Sequence, residues 1–173
     1  RPPRSTQSRS SAASDVYKRQ LEIGVKIKNF TAKSTNKDEF ILKNYLGSYL
    51  VIFFYPKDNT SGCTQEGIDF SENYNKFKKL NTEIFGISRD NLKSHNNFKE
   101  KYGFKFDLIS DTEENICNSF SVIKEKSMYG KKYMGVERST FIIDSHGSLI
   151  QEWRKVKVKG HVDEVLKYIK ELN

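Results

Sequence analysis

Apolar and polar positions alternate along the chain from Leu21 onward in patterns that predict strands and helices in turn. The run Tyr49–Tyr55 (YLVIFFY) is continuously β-branched and aromatic, which is typical of a strand buried on both faces of a sheet. Shorter alternating or β-branched segments predict further strands. These segments are Val25–Phe30, Glu39–Leu42, Glu83–Ser88, Phe106–Ile109, Thr140–Ile143 and Leu149–Trp153, the last two joined by a turn over residues 144–147.

Apolar residues at helical spacing predict helices between and after these strands. The helical segments lie around Ile68–Phe77, Leu92–Tyr102, Glu113–Phe120 and Val162–Ile169. Residues 121–136 show no clear periodicity, and we predict a loop there. Strands that alternate with helices, followed by a hairpin and a last helix, indicate an α/β fold with helices flanking a central mixed sheet.

Residues 1–20 differ in composition from the rest of the chain. They are rich in Arg and Ser, have no apolar core segment of a secretory signal and begin with Arg rather than Met. We expect a disordered appendage of non-native origin, with an organelle transit peptide as the alternative. We expect residues 21–173 to form a single domain.

Charge and hydropathy restrict the classes of function. The net charge of +8 divides evenly between residues 1–20 and residues 21–173. In the second part the excess is spread as lysines beside acidic residues, without the basic groove and interleaved aromatics of a nucleic-acid-binding surface. No apolar run approaches the roughly 20 residues that cross a bilayer. We therefore expect a protein that binds neither nucleic acid nor membrane.

The cysteine content points to a reducing compartment. Cys63 and Cys117 are the two cysteines of the chain, too few for the disulfide framework of a small secreted protein. There is no C-x-x-C motif and no His/Cys group at zinc-ligand spacing. We expect a cytoplasmic protein without metal or cofactor.

The most specific chemistry lies in the loop Pro56–Glu66 (PKDNTSGCTQE), between the buried strand and the next helix. Cys63 falls in the first turn of that helix, where unpaired N–H groups and the helix dipole favour an anion. Such positions lower the pKa of a cysteine thiol and make it reactive. Thr60 or Ser61 would cap the helix, and Pro56 would shield the sulfur without adding an N–H donor.

A buried, inert thiol is the alternative for Cys63, because free cysteines are usually of that kind. The neighbouring Gly62, Thr64 and Gln65 give the sulfur no apolar wall within the motif. The sequence therefore favours the reactive interpretation.

This loop resembles that of the peroxiredoxins, and more narrowly of their bacterioferritin-comigratory (Q-type) class. Pro56, Thr60 and Cys63 match the family's P-x-x-x-T-x-x-C pattern, while Ser61 stands where a Pro usually precedes the Gly-Cys pair. The resemblance extends over nearly all of residues 21–173. Other matching stretches are ISRDNLKSH (87–95), LISD (108–111) and GVERSTFIID (135–144).

The resemblance implies a thioredoxin-like fold and a thiol peroxidase that reduces hydrogen peroxide and organic hydroperoxides. Cys63 would be the peroxidatic residue and would be oxidised to a sulfenic acid. Arg138 matches the family's active-site arginine, and Thr60 would hydrogen-bond the peroxide. Glu66 matches a position that holds this arginine, or it is simply an acidic first-turn residue favoured by the helix dipole.

A resolving cysteine is not evident. Many Q-type members carry one five residues after the peroxidatic residue, where this chain has Ile68, or on the next helix, where Leu92–Tyr102 has none. Cys117 remains, and its simpler interpretation is a small core residue. We expect a one-cysteine enzyme, monomeric or weakly dimeric, that is recycled by thioredoxin or another thiol.

Two other functions stay open on the sequence. A thiol–disulfide oxidoreductase of the same fold would need a second thiol near Cys63, normally as C-x-x-C. A non-enzymatic basic binding module would require a stronger charge on residues 21–173. His95, on an apolar helical stripe, is interpreted as a core or boundary histidine.

Overall fold

The computed structural model describes residues 21–36 and 39–173. The prediction of a disordered appendage falls on residues 1–20, which lie outside the described residues. The strands are β1 Thr31–Ser34, β2 Glu39–Ile41, β3 Tyr49–Phe54, β4 Thr82–Ser88, β5 Asp107–Ser110, β6 Ile123–Met128, β7 Lys131–Val136, β8 Ser139–Ile143 and β9 Leu149–Trp153. The helices are α1 Ser61–Glu72, α2 Tyr74–Lys79, α3 Leu92–Tyr102, α4 Asn115–Ser119 and α5 His161–Leu172, with a short 3-10 helix at Leu42–Tyr45.

Seven of these strands form one mixed sheet in the order β2-β1-β5-β4-β3-β8-β9. The pairs β3–β4 and β4–β5 are parallel, and the other neighbouring pairs of this sheet are antiparallel. The predicted α/β fold with a central mixed sheet is confirmed. Within the described residues, no helix combines the length and the hydropathy that crossing a membrane requires.

The central strand β3 contributes to two separate apolar layers because its side chains alternate between the faces of the sheet. Leu50, Ile52 and Phe54 pack into a cluster with Cys117 and other residues around α4. The intervening side chains pack on the opposite face against α1, α2, α3 and α5, and they belong to a second cluster. Its members on β3, at the strand exit and on α1 are Val51, Phe53, Tyr55, Cys63 and Phe70.

Two local predictions were wrong. Residues 25–30 form no named strand; one isolated bridge joins Lys26 to Ser148, and Ile27 and Phe30 pack at the edge of the core. Residues 121–136 are not a loop, because β6 and β7 pair as an antiparallel hairpin outside the main sheet. Four exposed large apolar residues of the described chain lie on this hairpin and its turn, namely Met128, Tyr129, Tyr133 and Met134.

The helix boundaries also differ from the predicted ones. The stripe around residues 68–77 belongs to two helices, α1 and α2, which meet at Asn73. The predicted extent of α3 is confirmed: the helix ends at Tyr102, and Gly103, left-handed with φ 64°, caps it.

Candidate active site

The site begins where β3 leaves the sheet. Tyr55 is still tied to β4, because its N–H donates to the Ile87 carbonyl at 3.1 Å. Thr60 then adopts an extended conformation and precedes α1, and its carbonyl accepts the Thr64 N–H at 2.9 Å. The buried strand and the helix start therefore place Cys63 in the first turn of α1.

The Thr60 side chain does not cap this helix, contrary to the prediction. Its hydroxyl donates instead to the Lys57 carbonyl at 2.8 Å, within the loop. Ser61 is the first residue inside α1 and does not supply the cap either. Thr60 thus makes a hydrogen bond within the loop, and its side chain leaves the first-turn N–H groups of α1 uncapped.

Cys63 is 2 % exposed and lies in the apolar cluster with Tyr55 and Phe70. Its neighbours in sequence give the sulfur no apolar wall, but the folded chain places Cys63 in this apolar cluster. The cluster draws its members from segments far apart in sequence, among them β3 and α5, so the local pattern could not reveal it. Both cysteines are free thiols.

The guanidinium of Arg138 joins the sulfur to a buried carboxylate. Its Nη2 lies 3.5 Å from Cys63 Sγ, and its Nη1 donates to Glu66 Oε1 at 2.8 Å. The Arg138 backbone stands between β7 and β8 and accepts a hydrogen bond from the Val156 N–H at 3.0 Å. A Cβ at Gly62 would come within 3.0 Å of Nη2, so this glycine leaves the space that the guanidinium occupies.

Burial and mutual contact shift the pKa values of both Glu66 and Arg138. Burial raises the pKa of Glu66 to about 7, although the charge and hydrogen bond of Arg138 act in the opposite direction. Glu66 is fully buried, and among the described residues its Oε2 has no hydrogen-bond partner. For Arg138, burial lowers the pKa, but Glu66 and Cys63 raise it by more, so the guanidinium stays charged.

The structure connects three of the predicted site residues through Arg138 and leaves the other two at the loop. Cys63, Glu66 and Arg138 form one hydrogen-bonded group, although Arg138 lies 75 residues from Cys63 in sequence. Pro56 is half-buried at the strand exit, and Thr60 is exposed at the start of α1.

Cys117 is remote from this group. It belongs to the apolar cluster on the opposite face of the sheet from Cys63. Burial, reinforced by the Asp111 carboxylate, raises the pKa of Cys117 well above its ordinary value. A neutral, enclosed thiol fits the core interpretation of this residue.

Sequence reasoning missed a polar cluster beside the loop. Asp58, Asp90 and His95 place their ligand-type atoms within 4.8 Å of one another. Asp58 and His95 are 37 residues apart in sequence, and no local motif predicts their contact. Only the LKSH spacing on α3 offered a hint, because it places His95 on the buried stripe.

The family of the chain follows from comparison with known proteins. A sequence model described as the AhpC/TSA family matches residues 23–152. The chain belongs to the AhpC/TSA family. Among relatives of this AhpC/TSA protein, peroxiredoxin Bcp of Xanthomonas campestris is 54% identical over 129 residues, 75% of this chain and 81% of the relative. Peroxiredoxin Bcp of Bacillus subtilis is 45% identical over 153 residues, 88% of this chain and 98% of the relative.

Solved structures of the family have the same fold. The bacterioferritin comigratory protein of Xanthomonas campestris aligns with a TM-score of 0.79 and 48% identity, covering 82% of this chain and 90% of that one. The thioredoxin-like fold implied by the resemblance is confirmed, as is the bacterioferritin-comigratory (Q-type) class. The AhpC/TSA chain is a peroxiredoxin, a thiol enzyme that reduces hydroperoxides.

Proposed function

We propose that Cys63 is the peroxidatic cysteine of this peroxiredoxin and that an external thiol reduces its oxidised form. The observation that carries the proposal is the contact between the Arg138 guanidinium and Cys63 Sγ at the start of α1. A charged guanidinium and the positive end of a helix both stabilise a thiolate, which is the reactive form of cysteine.

The reaction begins when the Cys63 thiolate attacks the distal oxygen of a hydroperoxide. An S–O bond forms and the O–O bond breaks, so sulfur is oxidised to a sulfenic acid and the peroxide is reduced. The leaving alkoxide, or hydroxide from hydrogen peroxide, takes a proton from solvent and departs as an alcohol or water. One thiol then displaces water from the sulfenic acid to give a mixed disulfide, and a second thiol releases Cys63.

Arg138 and Thr60 would act directly on the bound peroxide. The planar fork of Arg138 offers several donors, one held by Glu66 and another beside the sulfur. The Thr60 hydroxyl donates a hydrogen bond to the Lys57 carbonyl. Its lone pairs are therefore free to accept the O–H of the peroxide.

Glu66 and Pro56 would act through other groups. Glu66 holds one edge of the guanidinium so that the other edge remains at the sulfur. Pro56, half-buried at the strand exit, would shield the site without adding a competing donor.

Substrate range and reductant follow from the chemistry and from the relatives. The Xanthomonas campestris protein has been studied in trapped intermediate and ligand complexes for its alkyl peroxide reduction activity. This supports organic hydroperoxides as substrates beside hydrogen peroxide. We propose thioredoxin or another thiol as the reductant, a monomer or weak dimer as the working form, and a reducing compartment such as the cytoplasm.

The assignment is tested with matched cysteine variants. Cys63→Ser should abolish peroxide consumption in the presence of dithiothreitol while leaving the fold intact, because it removes the proposed nucleophile. Cys117→Ser, the control, should retain most of the first-turnover rate. A reversal of the two effects would show that the site is wrongly assigned. Insulin reduction by the wild type would instead support a thiol–disulfide oxidoreductase.

A further inference from the structure

Asp58 lies at the centre of a buried polar network between the loop 56–60 and α3. Its Oδ1 accepts the Tyr55 hydroxyl at 2.7 Å, and its Oδ2 accepts the Ser94 hydroxyl at 2.8 Å. The same Oδ2 lies 2.7 Å from His95 Nδ1. Burial and the Asp58 charge raise the pKa of Tyr55 well above its ordinary value, so its phenol keeps its proton and acts as a donor.

The ring of His95 faces an acceptor on each side. Nδ1 faces the Asp58 carboxylate, and Nε2 lies 3.0 Å from the Ile109 carbonyl oxygen. A carbonyl oxygen cannot donate, so Nε2 must carry a proton. Asp58 already receives two hydroxyl donors, as an ionised carboxylate does, and Nδ1 must then carry a proton as well. An imidazolium satisfies every atom of the group, whereas a neutral ring requires a protonated Asp58.

The pair is isolated from solvent and connected to the sheet. The side chains of His95 and Asp58 are 0 % and 1 % exposed. The Asp58 N–H donates to Asp90 Oδ2 at 2.9 Å, and the Ser110 hydroxyl donates to the Asp90 carbonyl at 2.7 Å. The loop is therefore hydrogen-bonded to α3 and to Asp90, which follows β4 and is itself hydrogen-bonded to Ser110 at the end of β5.

We propose that His95 is a positioning residue, held as an imidazolium, whose ion pair with Asp58 fixes the loop that presents Thr60 and the start of α1. The inference rests on the proposed function of Cys63. His95 does not touch the sulfur in this arrangement, and it acts through Asp58 on the loop's geometry.

The protonation state is tested directly by nitrogen NMR of the ring in the full chain at pH 7. The chain has three histidines, and His95→Asn identifies the signals of His95. Both of its ring nitrogens should be protonated and slow to exchange with solvent. Burial, followed by the charge of Arg138, lowers the pKa of His161 to about 4, so His161 serves as a buried, neutral reference. An unprotonated nitrogen on His95 would overturn the proposal.

The positioning role is tested by comparing two reactions of Cys63. His95→Asn should slow the reaction with peroxide by about 10- to 100-fold, because small displacements of positioning groups have effects of that size. Alkylation by iodoacetamide, which needs the thiolate but no bound peroxide, should change little. His146→Asn, at an exposed turn, is the matched control and should change neither rate. Equal losses in both reactions would indicate a structural effect alone and would contradict the positioning role.

A second variant covers the case in which His95→Asn folds poorly. Removing one partner of a buried ion pair leaves an uncompensated charge, whereas Asp58→Asn combined with His95→Asn removes both. The double variant should recover folding and part of the peroxide rate relative to the single variant, a coupling expected of groups in contact. No recovery would contradict the ion pair. The NMR result does not depend on peroxidase activity, so it remains informative if Cys63→Ser shows the proposed function to be wrong.

Discussion

Arg138 is the residue on which the electrostatics of the site depend most. It contacts the sulfur of Cys63 with one nitrogen and the carboxylate of Glu66 with another. One cation thus contacts both the sulfur of Cys63 and the buried carboxyl group of Glu66. In the proposed mechanism, loss of the guanidinium should therefore affect both the thiolate and the orientation of the peroxide.

Arg138→Ala should reduce the second-order rate constant for peroxide by about 100-fold, the usual effect of removing one preorganised donor from a reacting site. Arg138→Lys should restore the charge but only part of the rate, because an ammonium cannot hold Glu66 and the sulfur with a planar fork. Stopped-flow peroxide kinetics measure both variants. If the ultraviolet absorbance of the thiolate against pH is unchanged in Arg138→Ala, the start of α1 alone activates the sulfur.

Glu66 makes stability depend on pH in a direction opposite to that of most carboxylates. Its pKa is about 7 in the folded protein against an ordinary 4.5. Between these values the native state retains a proton that the unfolded state has lost, so stability is highest below 4.5 and falls as the pH rises through 7. The shift corresponds to a loss of up to about 3 kcal/mol of unfolding free energy.

Glu66→Gln should remove this dependence, because the amide keeps an acceptor for Arg138 but cannot ionise. The unfolding free energy of the variant minus that of the wild type should therefore increase between pH 5 and pH 8, as measured by urea titration. The pKa of His161 is lowered to about 4 in the folded protein, so this residue makes stability rise with pH between about 4 and its unfolded pKa. It is present in both proteins and cancels in the difference. A difference that is flat with pH would mean that Glu66 is already ionised at pH 5.

At the scale of elements, the sheet itself separates the two thiols. Cys63 packs on one face of β3 and Cys117 on the other. A disulfide needs Cα atoms within about 7 Å, and a strand layer between the residues makes that impossible without unfolding. The sequence offered no such reason, since it suggested only that Cys117 is a small core residue.

Stoichiometric peroxide should therefore add one oxygen to the chain rather than remove two hydrogens. Dimedone should trap the sulfenic acid at Cys63, and excess peroxide should drive it to sulfinic acid. Intact-mass spectrometry followed by peptide mapping measures these products. A tryptic peptide joining Cys63 to Cys117 would contradict the one-cysteine mechanism but not the peroxidase activity.

The elements show where sequence patterns were informative. The strand β3 and the helices α3 and α5 were predictable, because the spacing of their apolar residues follows the side that is buried in the core. The β6–β7 hairpin was not, since both of its faces are largely exposed and no alternation is imposed. Residues 25–30 misled for the converse reason: Ile27 and Phe30 do pack against the core, but apart from one isolated bridge at Lys26 their backbone joins no ladder.

The candidate site shows the same division between local and long-range information. The motif around Cys63 and the motif before β8 were both visible in the sequence, so their residues could be named. The contact between Asp58 and His95 could not be predicted, because it depends on how α3 packs over the loop after β3. Contacts of this kind arise from tertiary packing and leave no spacing pattern along the chain.

At the scale of the whole molecule, residues 1–20 carry half of the net charge but no pattern of apolar anchors. Their deletion should change neither peroxidase activity nor melting temperature, because segments without such anchors contribute little to a packed core. Calorimetry and the peroxide assay on both chain lengths test this. A marked fall in melting temperature on truncation would show that the segment packs on the domain.

The β6–β7 hairpin should open locally more often than the central strands of the main sheet. In the described part of the protein it pairs with no further strand, and Tyr129 in its turn is 98 % exposed. A two-stranded ribbon of this kind is only marginally stable by itself. Its amide hydrogens should exchange with deuterium long before those of β3, which is paired on both sides. Because β8 begins at Ser139, directly after Arg138, this ribbon can fray and close again without releasing the guanidinium from the sulfur.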